Sequence, residues 1–138
     1  MHNQSQEDYL RAIFSLVEKK GSNDVKSIEV ATYLNVSKPA VSKMIKKLYQ
    51  KKFIETRPYS NISLTKKGLK KTKILVYKHR IIEVFLVKTL GINKGRVHEE
   101  AHRLEHAFSD NAVYKLAKFL GNPRLCPDNQ KIPNITIS

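Results

Sequence analysis

Ser37-Lys38-Pro39-Ala40-Val41-Ser42-Lys43-Met44-Ile45-Lys46-Lys47-Leu48-Tyr49-Gln50-Lys51 is the stretch on which the fold turns. Ser37 offers the side-chain oxygen that an N-cap needs, and Pro39 falls in the first turn, where a missing N–H does no harm. A helix is therefore predicted to open there and run to about Lys51. Val41, Ile45 and Leu48 recur at helical spacing and form one apolar stripe, while Lys43, Lys46, Lys47 and Gln50 point the other way.

Outward from this helix, the neighbours follow. Leu10, Ile13, Phe14 and Val17 obey the i, i+3, i+4, i+7 rule, predicting a helix over about Gln6 to Lys20 that Gly21 stops in the left-handed conformation. A short helix spans about Ser27 to Leu34. Downstream, Phe53-Ile54-Glu55-Thr56-Arg57 and Asn61-Ile62-Ser63-Leu64-Thr65 read as two short strands about a turn at Pro58, Tyr59 and Ser60. Helix, short helix, turn, capped basic helix and two-stranded ribbon, in that order, are the layout of a winged helix-turn-helix.

A major groove about 12 Å wide admits one helix, so a reader helix needs an apolar stripe to anchor it and small or polar residues at its exposed N-terminal end. Ser37, Lys38, Pro39, Ala40, Ser42 and Lys43 supply that end as candidate DNA-contacting residues. Lys46 and Lys47, Arg57 in the ribbon, and Lys66 and Lys67 beyond it are candidate phosphate contacts, which add affinity without sequence information. Across 138 residues, 26 Lys and Arg oppose 12 Asp and Glu, for a net charge of +14 that favours a polyanionic partner. Met1 to Ile74 holds 16 of those basic residues against 6 acidic, and Leu75 to Ser138 holds 10 against 6, so the polyanion surface belongs mainly to the first half. With 41% hydrophobic residues the chain can bury a core. No apolar run approaches the ~20 residues of a membrane span, and the N-terminus lacks the basic and apolar regions of a signal peptide, so no membrane partner and a cytoplasmic location are expected.

The second half has a different chemistry. Thr65 can cap a long helix to about Leu90, followed by helices over about Lys94 to Asp110 and Asn111 to Leu120, then an irregular tail from Gly121 with three prolines. Of the five histidines, His79, His98, His102 and His106 lie here, among Glu83, Glu99, Glu100 and Glu105. At about 100° per residue, His98, His102, Glu105 and His106 share one helix face and are expected to converge, and the i, i+4 pair His79 and Glu83 joins them if the two helices pack. With one cysteine, Cys126, a thiolate-rich zinc site is excluded. Imidazole and carboxylate suit Mn²⁺, Fe²⁺, Co²⁺, Ni²⁺ or Zn²⁺.

His98-Glu99-Glu100-Ala101-His102 also matches H-E-x-x-H, the zinc-protease pattern in which the glutamate is general base. The extended form needs a glycine at 105 and a histidine at 108, where the chain has Glu105 and Phe108, and no glutamate follows Glu105. An enzyme is not expected; a zinc metalloprotease is the remote alternative and a metal-independent winged-helix regulator the nearer one.

The stretches Glu7-Asp8-Tyr9-Leu10-Arg11-Ala12-Ile13-Phe14, Val36 to Leu48, Leu64-Thr65-Lys66-Lys67-Gly68, Tyr77 to Leu86, Val97 to Asp110 and Cys126 to Pro133 resemble the diphtheria-toxin-repressor and manganese-transport-regulator family of metal-dependent transcriptional repressors. The resemblance covers about Glu7 to Pro133 and implies a mainly α fold: a winged helix-turn-helix DNA-binding domain over 1–73, then a helical metal-binding and dimerisation domain over 74–138. The length implies the short form, without the SH3-like domain of longer members. The resemblance also implies a main metal site of Asp8, His102, Glu105 and His106 and an ancillary one of His79, Glu83 and His98. Iron-type members resemble this chain with Cys at 102 and Met at 8, and manganese-type members with Glu at both 11 and 102, so the chain matches neither pattern fully. The implied cofactor is Mn²⁺ or Fe²⁺, and the implied partners are a double-stranded palindromic operator and a second copy of the chain. Metal tying Asp8 to the later helix would act as a positional switch. A homodimer also fits the apolar residues Ile81, Ile82, Phe85, Leu86, Leu104, Phe108, Val113, Leu116 and Phe119 on the long helices.

Overall fold

The structure is a computed structural model that describes residues 5–57 and 61–135. It divides into two compact units, Met1–Thr72 and Lys73–Ser138.

In the first unit, α1 (Gln6–Lys20) opens on a capping box: Ser5 Oγ accepts from Asp8 N at 3.2 Å, and Asp8 Oδ2 accepts from Ser5 N at 3.0 Å. It closes at Gly21, whose φ of 73° brings its N–H to Val17 O. β1 (Val25–Lys26), a two-residue strand absent from the sequence reading, leads into α2 (Ser27–Leu34). Asn35 ends α2 at φ 54°, a left-handed residue that makes the tight turn into α3 (Lys38–Gln50). Ser37 caps α3 through Ala40 N, with Pro39 in the first turn, as the sequence requires.

β2 (Ile54–Arg57) and β3 (Asn61–Leu64) pair antiparallel, and β3 also pairs with β1, giving the order β1-β3-β2. The turn expected at Pro58, Tyr59 and Ser60 lies outside the described residues. Asn23 continues β3's bonding beyond β1, its side chain donating to Leu64 O at 3.0 Å and accepting from Leu64 N at 2.9 Å. Leu10, Ile13, Val25, Val30, Val41, Leu48, Ile54 and Ile62 are almost fully buried, so the apolar stripe of α3 is spent on this core.

Thr65 Oγ1 accepts from Gly68 N at 3.0 Å at the start of α4 (Lys66–Val84), matching the expected cap. Gly68 is required there, because a Cβ at this position would lie 1.9 Å from Phe53 O. The long helix reaches Thr89, but its last five residues, Phe85–Thr89, widen into a π-helical turn. α5 (Lys94–Glu105) ends five residues before the expected Asp110, because Ser109 leaves helical geometry at ψ 160° to cap α6 (Asp110–Phe119) through Ala112 N. Ile81, Ile82, Leu86, Val97, Ala101, Val113 and Ala117 form the core of the second unit. This corrects part of the dimer argument: Ile81, Ile82, Leu86 and Val113 are interior residues, not spare surface, while Phe119 is exposed and Phe85, Leu104, Phe108 and Leu116 are partly so.

The tail is also more ordered than its prolines suggest. Leu125 and Lys131 form an antiparallel bridge around buried Cys126, and Arg80 of α4 donates to Lys131 O. No helix among the described residues is long and apolar enough to cross a membrane.

Candidate metal centre and nucleic-acid interface

The reader helix presents what its sequence implies. Ser37, Lys38, Pro39, Ala40, Ser42, Lys43, Lys46 and Lys47 are all exposed, opposite buried Val41 and Leu48. Arg57, at the end of β2, and Lys66 and Lys67, at the start of α4, are exposed as well. Lys67 is held in place: its Nζ donates to Lys51 O at 3.1 Å and stands 5.0 Å from the centre of the Phe53 ring, with Lys71 on the same ring. The sequence reading did not include Tyr33, which is 54% exposed at the end of α2 next to the turn that leads into α3. An exposed aromatic beside a helix-turn-helix turn was the signal available for it.

Two donor clusters occupy the second unit. In each, the candidate ligand atoms lie within 4.8 Å of one another: His79, Glu83 and His98 form one, and His102, Glu105 and His106 the other. The single convergence of His98 with His102, Glu105 and His106 expected from the helical wheel is thus replaced by two sites. His98 instead lies against α4, its Nδ1 3.1 Å from His79 Nε2, while His102 lies with Glu105 and His106. The two histidines of H-E-x-x-H thus fall in different clusters, and Glu99 pairs with Arg103 at 3.1 Å.

The first cluster is the better defined. His79 Nε2 lies 3.1 Å from His98 Nδ1 and 3.5 Å from Glu83 Oε2, and His98 Nδ1 lies 3.7 Å from Glu83 Oε2. A triangle with those edges has a centre about 2.0 Å from each corner, the length of a bond from a divalent metal to imidazole nitrogen or carboxylate oxygen. The spacing of these three donor atoms therefore suits a cation. Burial works against the charge on Glu83, but hydrogen bonds from His79 and His98 outweigh it and pull its pKa down to about 2. Burial likewise disfavours a charged His79, yet Glu105 and Glu83 overcome it and raise its pKa above the ordinary 6.5.

The second cluster straddles the end of α5. Glu105 is only 5% exposed, while His106, the C-cap, is exposed and keeps right-handed helical dihedrals. The rings of His102 and His106 meet edge to face with centroids 5.1 Å apart. Glu105 Oε1 also lies 3.2 Å from His79 Nδ1, so one buried contact joins the clusters. Asp8, in the first unit, is buried in its capping box, with Oδ1 accepting from Arg11 Nη2 at 2.6 Å.

A basic winged helix-turn-helix followed by a helical unit carrying two His/Glu clusters defines a class of DNA-binding proteins with metal-binding regulatory domains. The chain belongs to the iron-dependent repressor family. Residues 1–62 match that family's N-terminal DNA-binding domain, and residues 65–134 match its metal-binding and dimerisation domain. An HTH-type transcriptional regulator of Methanocaldococcus jannaschii is 39% identical over 118 residues, covering 86% of this chain and 94% of that protein. The transcriptional regulator MntR of Bacillus subtilis is 33% identical over 116 residues, covering 84% of this chain and 80% of that one. Among solved structures, the metal-dependent transcriptional regulator MtsR superposes with a TM-score of 0.87 at 38% identity over 96% of this chain. A manganese-dependent transcriptional repressor in complex with manganese superposes with a TM-score of 0.84 at 31% identity over 94% of it. The chain spans 61% of the first of these structures and 59% of the second, about three fifths of their length. The matched relatives are named as transcriptional regulators, not as enzymes.

Proposed function

We propose that this protein is a metal-dependent transcriptional repressor that binds palindromic operators as a homodimer when loaded with Mn²⁺ or Fe²⁺, and that it controls metal-homeostasis genes in the cytoplasm. The observation that carries the reading is the triangle of His79, Glu83 and His98 donors, already spaced for a cation, on the same chain as the exposed basic helix α3. A donor set of imidazole and carboxylate without thiolate can hold Mn²⁺ or Fe²⁺, the ions that the family pattern implies.

His79, Glu83 and His98 would hold one ion. His102, Glu105 and His106 would hold a second, with Asp8 as a further carboxylate carried over from the family pattern. The ions supply positive charge that balances carboxylates otherwise costly to bury. Ser37, Lys38, Pro39, Ala40, Ser42 and Lys43 would face base edges, and Lys46, Lys47, Arg57, Lys66 and Lys67 would meet phosphates. The domains assigned to these roles are 1–73 for DNA and 74–138 for metal and dimerisation. Two reader helices on a dimer require half-sites about 34 Å apart or a multiple of that.

The test is operator binding by mobility shift with Mn²⁺ and with chelator. Specific binding that appears only with the ion is expected. Equally tight binding in both would make this a metal-independent winged-helix regulator.

A further inference from the structure

The far end of the reader helix carries a second accumulation of charge. α3 is 13 residues long, so its C-cap Lys51 stands about 20 Å along the helix axis from the start of the helix at Lys38. Lys51 and Lys52, together with Lys66, Lys67, Lys70 and Lys71 on the first turns of α4, are all exposed. The two segments are tied to each other: Thr65 Oγ1 donates to Lys52 O at 2.7 Å, and Lys67 Nζ donates to Lys51 O at 3.1 Å. The Phe53 ring carries two of the ammonium groups, Lys67 at 5.0 Å and Lys71 at 5.6 Å from its centre.

What holds these groups is neutral. Lys51 Nζ donates to Gln6 Oε1 at 2.9 Å, and the other partners are a backbone carbonyl and an aromatic face. Among the described residues none of the six lysines pairs with a carboxylate. Elsewhere the chain does pair its cations: Lys20 lies 2.8 Å from Glu29, Lys78 lies 3.7 Å from Asp110, and Arg103 lies within 3.1 Å of both Glu99 and Glu100. Like charges at i, i+4, such as Lys66 with Lys70 and Lys67 with Lys71, work against a helix. A polyanion laid over the patch removes that repulsion. We propose that these lysines form a second contact with the DNA backbone, away from the bases read by the N-terminal end of α3. The proposal rests on the DNA-binding reading above. The occupant is duplex DNA because the patch is continuous, through Lys66 and Lys67, with the surface assigned to phosphates there. Over 20 Å, at 3.4 Å per base pair, the phosphates gripped lie about three to six base pairs from the bases that are read. Contacts of this kind fix the protein's position on the duplex and carry no sequence information.

The experiment uses the full chain loaded with Mn²⁺ and a duplex that it selects from random sequence. Two double variants, Lys70→Gln with Lys71→Gln and Lys51→Gln with Lys52→Gln, change only exposed side chains. Ethylation of single phosphates should block wild-type binding at positions about three to six base pairs from the bases whose substitution abolishes it. Each double variant should lose part of that distant interference. Each phosphate neutralised adds about 0.9 to the salt slope, so each variant's slope should fall by about two. Raising salt from about 50 to about 200 mM should then weaken the wild type about 10-fold more than either variant. Selected and unrelated duplexes should be weakened alike. Unchanged salt slopes, or interference confined to phosphates beside the bases that are read, overturn the second contact and leave the repressor reading in place. Failure of the Mn²⁺-loaded wild type to select any duplex overturns both.

Discussion

The carboxylate of Asp8 is held by the guanidinium of Arg11 one helical turn away, Oδ1 to Nη2 at 2.6 Å, with both side chains largely buried. Arg11 thus balances the charge that the proposed metal site would otherwise balance. Arg11→Ala should destabilise the metal-free protein by about 1–3 kcal/mol, the cost of leaving a largely buried charged group without its partner. If Asp8 is a ligand as proposed, the substitution should also enlarge the rise in melting temperature produced by saturating Mn²⁺, since an ion there would no longer have to displace a guanidinium. Thermal melts with and without Mn²⁺ check both effects. An equal metal-induced rise in variant and wild type would exclude competition between Arg11 and the ion at Asp8.

Lys43 and Lys67 differ in where they point. Lys43 projects from the exposed side of the reader helix, and Lys67 is braced on Lys51 O and the Phe53 ring. Lys67→Ala should weaken binding to every DNA sequence alike and reduce the salt slope by about one. Lys43→Ala should instead narrow the gap between operator and competitor DNA. Binding measured across salt concentrations on both DNAs separates the two, and the opposite pattern would reverse the proposed docking.

Gly68 tests the base of the wing. A Cβ there would fall 1.9 Å from Phe53 O, a carbonyl that accepts from Thr65 N at 3.0 Å. The obstacle is backbone and cannot rotate aside. Gly68→Ala should therefore cost about 1–3 kcal/mol or more, read as a lower denaturant midpoint. A midpoint within a few tenths of a kcal/mol of wild type would show that α4 shifts to make room.

Residues with local signals were legible in the sequence. Ser37, Pro39 and Thr65 announce their helix starts, and Gly21 its stop, because each acts through bonds to its own few neighbours. The lysines and the reader helix followed from pattern and charge. What needed the third dimension was not legible. Nothing local marks the two-residue strand β1, whose partner is Ile62 and Asn61 some 36 residues on. The division of four histidines into two clusters depends on α4 lying beside α5, and a helical wheel of α5 alone merges them. Asp8 is ambiguous for a related reason: its local role as the capping-box residue is complete without metal.

The pH dependence of the first cluster has a definite sign. Glu83 titrates near 2, below its ordinary value of 4.5, so its contribution to stability is present above 4.5 and lost as pH falls toward 2. His79 titrates above its ordinary 6.5, so its contribution is full below 6.5 and lost as pH rises through the raised value. The metal-free protein should accordingly lose stability on either side of the window between 4.5 and 6.5 as far as these two groups are concerned. A cation at His79 competes with the proton, so the stabilisation by Mn²⁺ should grow from pH 6 to pH 8. Melting curves over that range measure it, and a flat metal-induced shift would remove His79 from the ligand set.

Glu105 carries the sharpest test of the site. It is buried at the end of α5, on a helix whose other buried residues are Val97 and Ala101, and its carboxylate meets His79 and lies with the donors of His102 and His106. A buried carboxylate is costly unless paired, and a cation balances it more fully than neutral imidazoles do. Glu105→Gln keeps the volume and one acceptor oxygen, so the variant should fold, yet it removes the charge that would draw the ion. Binding of Mn²⁺ or Fe²⁺ should raise the wild-type melting temperature by an amount set by ion concentration over dissociation constant. The variant should lose most of that rise together with metal-dependent operator binding. His106→Ala should behave in the same way for activation, since its exposed side chain contributes to the cluster and little to the core. If Glu105→Gln keeps the full thermal shift and binds operator only with metal, Glu105 is not a ligand, and the activating site must be redrawn around His79, Glu83 and His98.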